Sequence, residues 1–158
     1  MSDLEEREAI RRLMAIYAQL LDSKRIVEWG QLFTEDAVFA VWGMSWKGRE
    51  SIVSGIGGMQ PEAPGKHVIL TPVIDFVAPD RALAWTDLSA FSSANVPSTS
   101  GSGGANPGVA APGEISIATI GRYHDELVKQ GGRWRIARRV CVMAGEALPD
   151  GVAPSPAW

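Results

Sequence analysis

The stretch that decides the fold is GRYHDELVKQGGRWRIARR, residues 121–139. Its glycine pair, Gly131 and Gly132, separates two runs of strand-forming residues, and this arrangement is typical of a β-hairpin. The predicted strands cover residues 115–128 and 134–142. Side chains alternate along a strand. The first strand should therefore present Arg122, His124 and Glu126 on one face and Tyr123, Asp125 and Leu127 on the other. The charged neighbours of His124 favour a surface or interface position for it.

Upstream of the hairpin, the pattern predicts helices first and then more strands. Residues 4–21 carry apolar side chains at three- and four-residue spacing, which indicates an amphipathic helix that Ser2 or Asp3 can cap. Shorter helices are predicted at residues 26–33 and 49–56, and strands at residues 37–44, 67–77 and 82–91. Three helices against one largely antiparallel sheet is an α+β fold, and strong curvature of such a sheet leaves a concave pocket.

The length of 158 residues fits one domain, predicted over residues 1–146, followed by a Pro-rich tail at residues 147–158. Residues 92–113 contain no charged side chain and are dominated by Ser, Gly, Ala and Pro. A loop of that length is either disordered or a functional flap. The large side chain of Trp158 favours docking of the tail onto the body or a neighbouring subunit.

Composition excludes several classes of function. The net charge of −3 offers no basic surface for nucleic acid. The lone Cys141 cannot form an internal disulfide, which fits a reducing compartment. Neither a signal peptide nor an apolar run of roughly 20 residues is recognisable, so we expect a cytoplasmic protein without membrane contact. Two histidines and one cysteine at unrelated spacing give no metal signature, and no nucleotide-binding glycine pattern occurs, so no cofactor is expected.

Several motifs occur in an order that resembles the nuclear-transport-factor-two-like superfamily. They are YAQLLD (17–22), WGQLFTEDAVF (29–39), KGRESI (47–52), a strand opened by His67, and the hairpin above. Within the superfamily the chain looks most like the SnoaL-like group, which includes scytalone dehydratase, lindane dehydrochlorinase and bile-acid 7α-dehydratase. The resemblance spans about residues 5–142. It implies the cystatin-like fold, a cone-shaped curved antiparallel sheet wrapped on three N-terminal helices.

The resemblance also implies a catalytic pair, Asp22 and His67. In dehydratase-like members an aspartate ending the first helix orients a histidine that begins the second strand and acts as general base. An imidazole exchanges protons near neutral pH, and a carboxylate on its other nitrogen stabilises the imidazolium. Tyr17 matches a tyrosine that hydrogen-bonds substrate or a water near the leaving group. Taken alone, Asp22 could cap a helix, His67 could be an exposed residue at a strand start, and Tyr17 could be a core aromatic.

Other residues are candidates for substrate contacts. Apolar and aromatic residues that could line a pocket for an aromatic or alicyclic ligand are Trp29, Phe33, Trp42, Met44 and Trp85. The resemblance to dehydrochlorinase-like members adds Arg135, for an anionic group. Scytalone dehydratase-like enzymes use a second pocket histidine on the third strand, and residues 82–91 contain none, so scytalone is not the expected substrate.

Together these features predict a cofactor-independent lyase or dehydratase, or an isomerase, that abstracts a proton from a small apolar, cyclic or aromatic substrate. The alternatives are a non-catalytic small-molecule binding protein and an oligomerisation module of the same fold. An epoxide hydrolase-like activity would need an Asp-Arg-Asp arrangement that the sequence does not locate. Relatives assemble through the outer face of the sheet, so we expect a homo-oligomer, with a trimer slightly preferred over a dimer.

Overall fold

The computed structural model describes residues 2–60, 65–93 and 115–157. These residues form three helices and seven strands. In chain order they are α1 (Asp3–Asp22), α2 (Ile26–Gly30), β1 (Phe33–Val41), β2 (Met44–Lys47), α3 (Arg49–Gly58), β3 (Gly65–Ile69), β4 (Val73–Ala78), β5 (Arg81–Ser93), β6 (Ile115–Gln130) and β7 (Arg133–Met143). A loop is predicted at residues 92–113, and its residues 94–113 lie outside the described residues. Trp158 also lies outside them.

Helix α1 begins at a capping box and ends at Asp22. The Ser2 hydroxyl accepts from the backbone N–H of Glu5, and the Glu5 carboxylate accepts from the backbone N–H of Ser2 at 2.7 Å. This reciprocal contact satisfies donors that a helix start leaves without partners. The predicted apolar stripe is buried at Ile10, Leu13, Met14, Tyr17 and Leu21. Burial of that stripe fixes the rotation of the helix, and with it the direction in which its last residue points.

The strands form one curved, open sheet, which confirms the α+β class. Its order is β2-β1-β7-β6-β5-β3, with β4 also paired to β5. The β1–β7 pair is parallel and the other pairs are antiparallel. The helices contact β1, β2, β3 and β7, so the core lies between the helices and the sheet.

Two predicted strands are each divided in the structure. The strand expected at residues 37–44 is β1 and β2, joined by a tight turn in which Trp42 has φ 53° and Gly43 has φ 71°. The strand expected at residues 67–77 is β3 and β4, interrupted near Pro72, which has no N–H to donate to a ladder. Helix α2 ends at Gly30 instead of residue 33, because Phe33 already pairs with Ile136.

The segment after β7 runs along the outer face of the sheet. The Trp85 indole donates to the Ala153 carbonyl at 3.0 Å, and Val152 is buried. Arg122 reaches Ser155 and Arg138 reaches the Gly151 carbonyl. None of the described helices is long and apolar enough to cross a membrane.

Candidate active site

A cavity lies between α1, the end of α3 and the inner face of the sheet. Its volume is about 190 Å³. Apolar side chains form most of its wall, and they include Leu21, Phe39, Val41, Ile56, Leu88 and Phe91. Its polar lining comprises Tyr17, Asp22, Lys24, Gln60, Lys66, His67, Thr119 and Tyr123. A mostly apolar concavity with a few convergent polar groups is the usual form of a small-molecule site.

Asp22 and His67 meet in the wall of this cavity, although 45 positions separate them in the chain. The distance between Asp22 Oδ1 and His67 Nδ1 is 2.6 Å. The backbone N–H of His67 also donates to both carboxylate oxygens, at 3.1 and 3.2 Å. The Asp22 side chain is only 6% exposed, so little water competes for these contacts. The ring is therefore held through Nδ1, and Nε2 is the nitrogen left to exchange a proton with a ligand.

Lys66 is a neighbour of this pair that the sequence did not point to. Its Nζ lies 3.2 Å from Asp22 Oδ2, and its side chain is 66% exposed. The ammonium group thus offsets part of the Asp22 charge from the solvent side, while the imidazole contacts the other oxygen. A lysine placed directly before a strand histidine has no distinctive local signal, since the contact depends on where α1 ends.

Tyr17 lines the cavity and is also packed into the core. It is 1% exposed, and its ring lies 5.5 Å from that of Trp29 and 5.7 Å from that of Tyr123. Burial raises the pKa of the Tyr17 phenol above its ordinary value, although the positive charge of Arg139 opposes that rise. The phenol therefore keeps its proton at neutral pH and can donate a hydrogen bond.

Behind the two tyrosines lies a fully buried ion pair, Arg139 and Asp125, that sequence reasoning missed. Arg139 Nε and Nη2 each donate to a carboxylate oxygen of Asp125 at 2.7 Å, and both side chains are 0% exposed. Burial disfavours the guanidinium charge, but contact with Asp125 outweighs it and keeps the pKa of Arg139 above its ordinary value. Arg139 therefore remains a cation next to the cavity wall.

The predicted substrate-binding residues fall in different places. Trp42 lines the cavity. Trp29 and Phe33 are fully buried against each other, with ring centroids 4.9 Å apart, and serve the core. Met44 is exposed on β2, and Trp85 lies on the outer face against the C-terminal segment.

Arg135 lies near the β6–β7 turn, where its Nη1 donates to the Gln130 carbonyl. The described lining of this cavity therefore does not include Trp29, Phe33, Met44, Trp85 or Arg135.

Two further candidates can be placed. His124 lies on the outer face of β6, and its Nδ1 is 2.9 Å from the Ala153 carbonyl, which the Trp85 indole also contacts. Cys141 is buried in the cavity wall, and burial raises the pKa of its thiol to about 12. A protonated thiol is a poor nucleophile, so Cys141 acts as a small apolar side chain. The described residues contain no cluster of His, Cys, Asp and Glu that could hold a metal ion.

The described residues thus form a small α+β protein in which a curved sheet and three helices surround a cavity lined by Asp22 and His67. The chain belongs to the SnoaL-like domain family, which matches it over residues 2–140. The resemblance and the fold predicted from it are thereby confirmed.

Solved structures show the same architecture. A Mycobacterium tuberculosis protein of unknown function is 22% identical, with a TM-score of 0.74 over 97% of this chain and 87% of that one. An NTF2-like protein with a cystatin-like fold from Novosphingobium aromaticivorans is 23% identical, with a TM-score of 0.72 over 91% and 85%. A third protein, from the same organism and with a provisional scytalone dehydratase assignment, is 25% identical, with a TM-score of 0.68 over 96% and 97%. Comparison with curated proteins finds no significant match.

Proposed function

We propose that this protein is a cofactor-independent lyase of the dehydratase type, or an isomerase that uses the same first step. The observation that carries the proposal is the 2.6 Å contact between Asp22 Oδ1 and His67 Nδ1 in the wall of an apolar cavity. An oriented imidazole in such a setting can act as a general base. Family membership and the similarity to a protein with a provisional scytalone dehydratase assignment support this class of reaction.

In the proposed reaction, His67 Nε2 takes a proton from a carbon of the substrate. The released electron pair forms a carbon–carbon double bond while hydroxide or halide leaves the adjacent carbon with its own electron pair. Asp22 stabilises the imidazolium through Nδ1. The imidazolium then returns its proton to the departing hydroxide, which leaves as water; when halide leaves as an anion, the proton passes to solvent. In an isomerisation no group leaves: the released electron pair is held on an adjacent carbonyl oxygen, and the imidazolium returns the proton to a different carbon. Tyr17 donates a hydrogen bond to the oxygen on which negative charge develops.

The experiment that tests the proposal compares the two histidines of the chain. A panel of small cyclic hydroxy- and halo-substrates is screened with the natural protein, and the best substrate is then measured with His67→Ala and His124→Ala. Loss of a general base should lower kcat/KM by about 10²–10⁴-fold in His67→Ala. His124 lies on the outer face of the sheet, so its variant should retain activity. Turnover by His67→Ala within a few-fold of the natural protein would refute the role of His67.

A second candidate is a non-catalytic small-molecule binding protein, and the Lys66 contact favours it. Because Lys66 Nζ lies 3.2 Å from Asp22 Oδ2, the carboxylate is already partly neutralised and has less to offer an imidazolium. Incubation of a bound ligand in deuterated water separates the two functions. A catalyst would place deuterium on the carbon that faces His67, and His67→Ala would abolish this exchange. A binding protein would return the ligand without deuterium.

A further inference from the structure

The chain contains two tyrosines, and both line the same cavity. Tyr17 comes from α1 and Tyr123 from β6, and their rings pack edge to face with centroids 5.7 Å apart. Both are nearly fully buried, at 1% and 4% exposure. Two phenols that different elements bring to one wall form a polar patch in an otherwise apolar cavity.

A fixed positive charge lies directly behind this patch. The guanidinium carbon of Arg139 is 4.1 Å from the Tyr17 ring centroid and 3.9 Å from the Tyr123 ring centroid. Asp125 holds the guanidinium in place by two hydrogen bonds of 2.7 Å. A buried ion pair is weak evidence for stability, because removing two charges from water can cost more than their attraction returns. Because the Arg139–Asp125 pair lies behind the two phenols, its guanidinium charge can stabilise negative charge on a ligand that contacts them.

The phenols remain protonated donors in this environment. Burial raises the pKa of Tyr17, and burial together with the neighbouring Tyr17 raises the pKa of Tyr123 well above its ordinary value. The Lys66 ammonium group also lies at the cavity wall, where its Nζ is 3.2 Å from Asp22 Oδ2. The cavity wall thus offers two protonated phenols, with the Arg139 guanidinium stacked against their rings, to a ligand oxygen that carries negative charge.

The size of the cavity restricts the ligand further. An apolar cavity of about 150 Å³ accepts one benzene molecule. The cavity of about 190 Å³ therefore has room for one ring with small substituents. A fused multi-ring substrate would have to extend beyond the described walls.

We propose that Tyr17 and Tyr123, backed by Arg139, form a two-donor subsite for an oxygen anion. The substrate would then be a compact single-ring compound whose oxygen becomes negatively charged, as an enolate or a phenolate does. Tyr123 is a second catalytic donor in this scheme, since it would contact the same oxygen as Tyr17. The identity of the reaction rests on the function proposed above, but the subsite can be tested without any turnover.

The test uses two probes of nearly equal shape, para-nitrophenolate and the neutral para-nitrotoluene, titrated by calorimetry at mildly alkaline pH. The proteins compared are the natural chain, Tyr17→Phe, Tyr123→Phe and the double variant. Phenylalanine keeps each ring, so the stacking on Arg139 is retained and only a hydroxyl is lost. A hydrogen bond to a charged group is worth about ten- to a hundredfold in affinity. Each single variant should therefore bind the phenolate at least about tenfold more weakly and nitrotoluene equally well.

Equal phenolate affinity in Tyr123→Phe and the natural protein would overturn the inference, as would tighter binding of nitrotoluene than of the phenolate by the natural protein. Para-nitrophenolate offers no acidic carbon-bound proton, so its binding does not depend on His67 acting as a base. If the Tyr→Phe variants bind the phenolate as well as the natural protein does, but His67→Ala abolishes turnover, the lyase proposal stands and only the subsite is refuted. If the Tyr→Phe variants lose phenolate affinity but His67→Ala does not change turnover, the results favour a binding protein.

Discussion

Removal of the negative charge at Asp125, by Asp125→Asn, should destabilise the protein far more than the same change one residue along the strand. Asp125 pairs in register with Arg139, and Glu126 pairs with Arg138. Both positions carry a carboxylate–guanidinium contact between β6 and β7. The side chains of Asp125 and Arg139 are both 0% exposed. The side chains of Glu126 and Arg138 are 52% and 34% exposed. Glu126→Gln is therefore a matched control.

The expected magnitude follows from this difference in burial. Breaking a buried ion pair leaves an uncompensated charge in the interior and costs about 3–5 kcal/mol. Asparagine keeps the shape and one acceptor oxygen of Asp125, so we expect the lower end, about 3 kcal/mol. An exposed pair is worth about 0–1 kcal/mol. In a domain of this size 1 kcal/mol shifts Tm by about 2–4 °C, so Asp125→Asn should lower Tm by about 6–12 °C.

Urea unfolding followed by tryptophan fluorescence measures both variants, and equal m-values would show that the unfolded states are comparable. The six tryptophans include the buried Trp29 and Trp134, which report on the core. A free energy of unfolding for Asp125→Asn that matches Glu126→Gln would refute the reasoning. It would mean that Arg139 finds another partner or gains access to water.

Three further predictions concern titration, reactivity and assembly. Because burial raises the pKa of Tyr17 and Tyr123, the folded protein should show no phenolate absorbance at the pH of about 10 where an unfolded chain ionises. Folded-state stability should then be lost as the pH rises further, and phenolate absorbance should appear together with unfolding. The Cys141 thiol, with its pKa raised to about 12, should react with iodoacetamide far more slowly in the folded protein than in urea; equal rates would contradict its burial. The expected homo-oligomer should be visible by sedimentation equilibrium, and a monomer at micromolar concentration would contradict it.

Local pattern predicted most of the architecture because the relevant signals are local. The capping residue and apolar spacing of α1 lie within one helix, and the glycine pair of the β6–β7 turn lies within one hairpin. Gly43 and Pro72 mark the divisions between β1 and β2 and between β3 and β4, but the apolar and β-branched residues on either side made each run look like one strand. Only the backbone shows that Trp42 adopts a positive φ.

Site residues depend on long-range placement, which single-sequence patterns do not contain. The contact between Asp22 and His67 spans 45 positions, and only the family resemblance suggested it. Trp29 and Trp42 are the same residue type, yet one fills the core and the other lines the cavity. Which of them meets a ligand is decided by how α2 and the β1–β2 turn pack against the sheet.

Arg139 shows most clearly why strict alternation along β7 would not have placed the site residues. Trp134 and Ile136 point inward on β7, so strict alternation would turn Arg138 inward and Arg139 outward. The register instead passes from Leu127–Ile136 to Glu126–Arg138, which leaves Ala137 as an extra residue in a β-bulge. The bulge reverses the alternation, and Arg139 and Cys141 become the inward residues. A one-residue irregularity thus places the guanidinium behind Tyr17 and Tyr123. Deletion of Ala137 should therefore remove the bulge but leave Ile136 and Arg139 on the inner face, and the preference of the cavity for a phenolate over its neutral analogue should remain. Insertion of one residue between Arg138 and Arg139 should instead turn Arg139 towards solvent and abolish that preference.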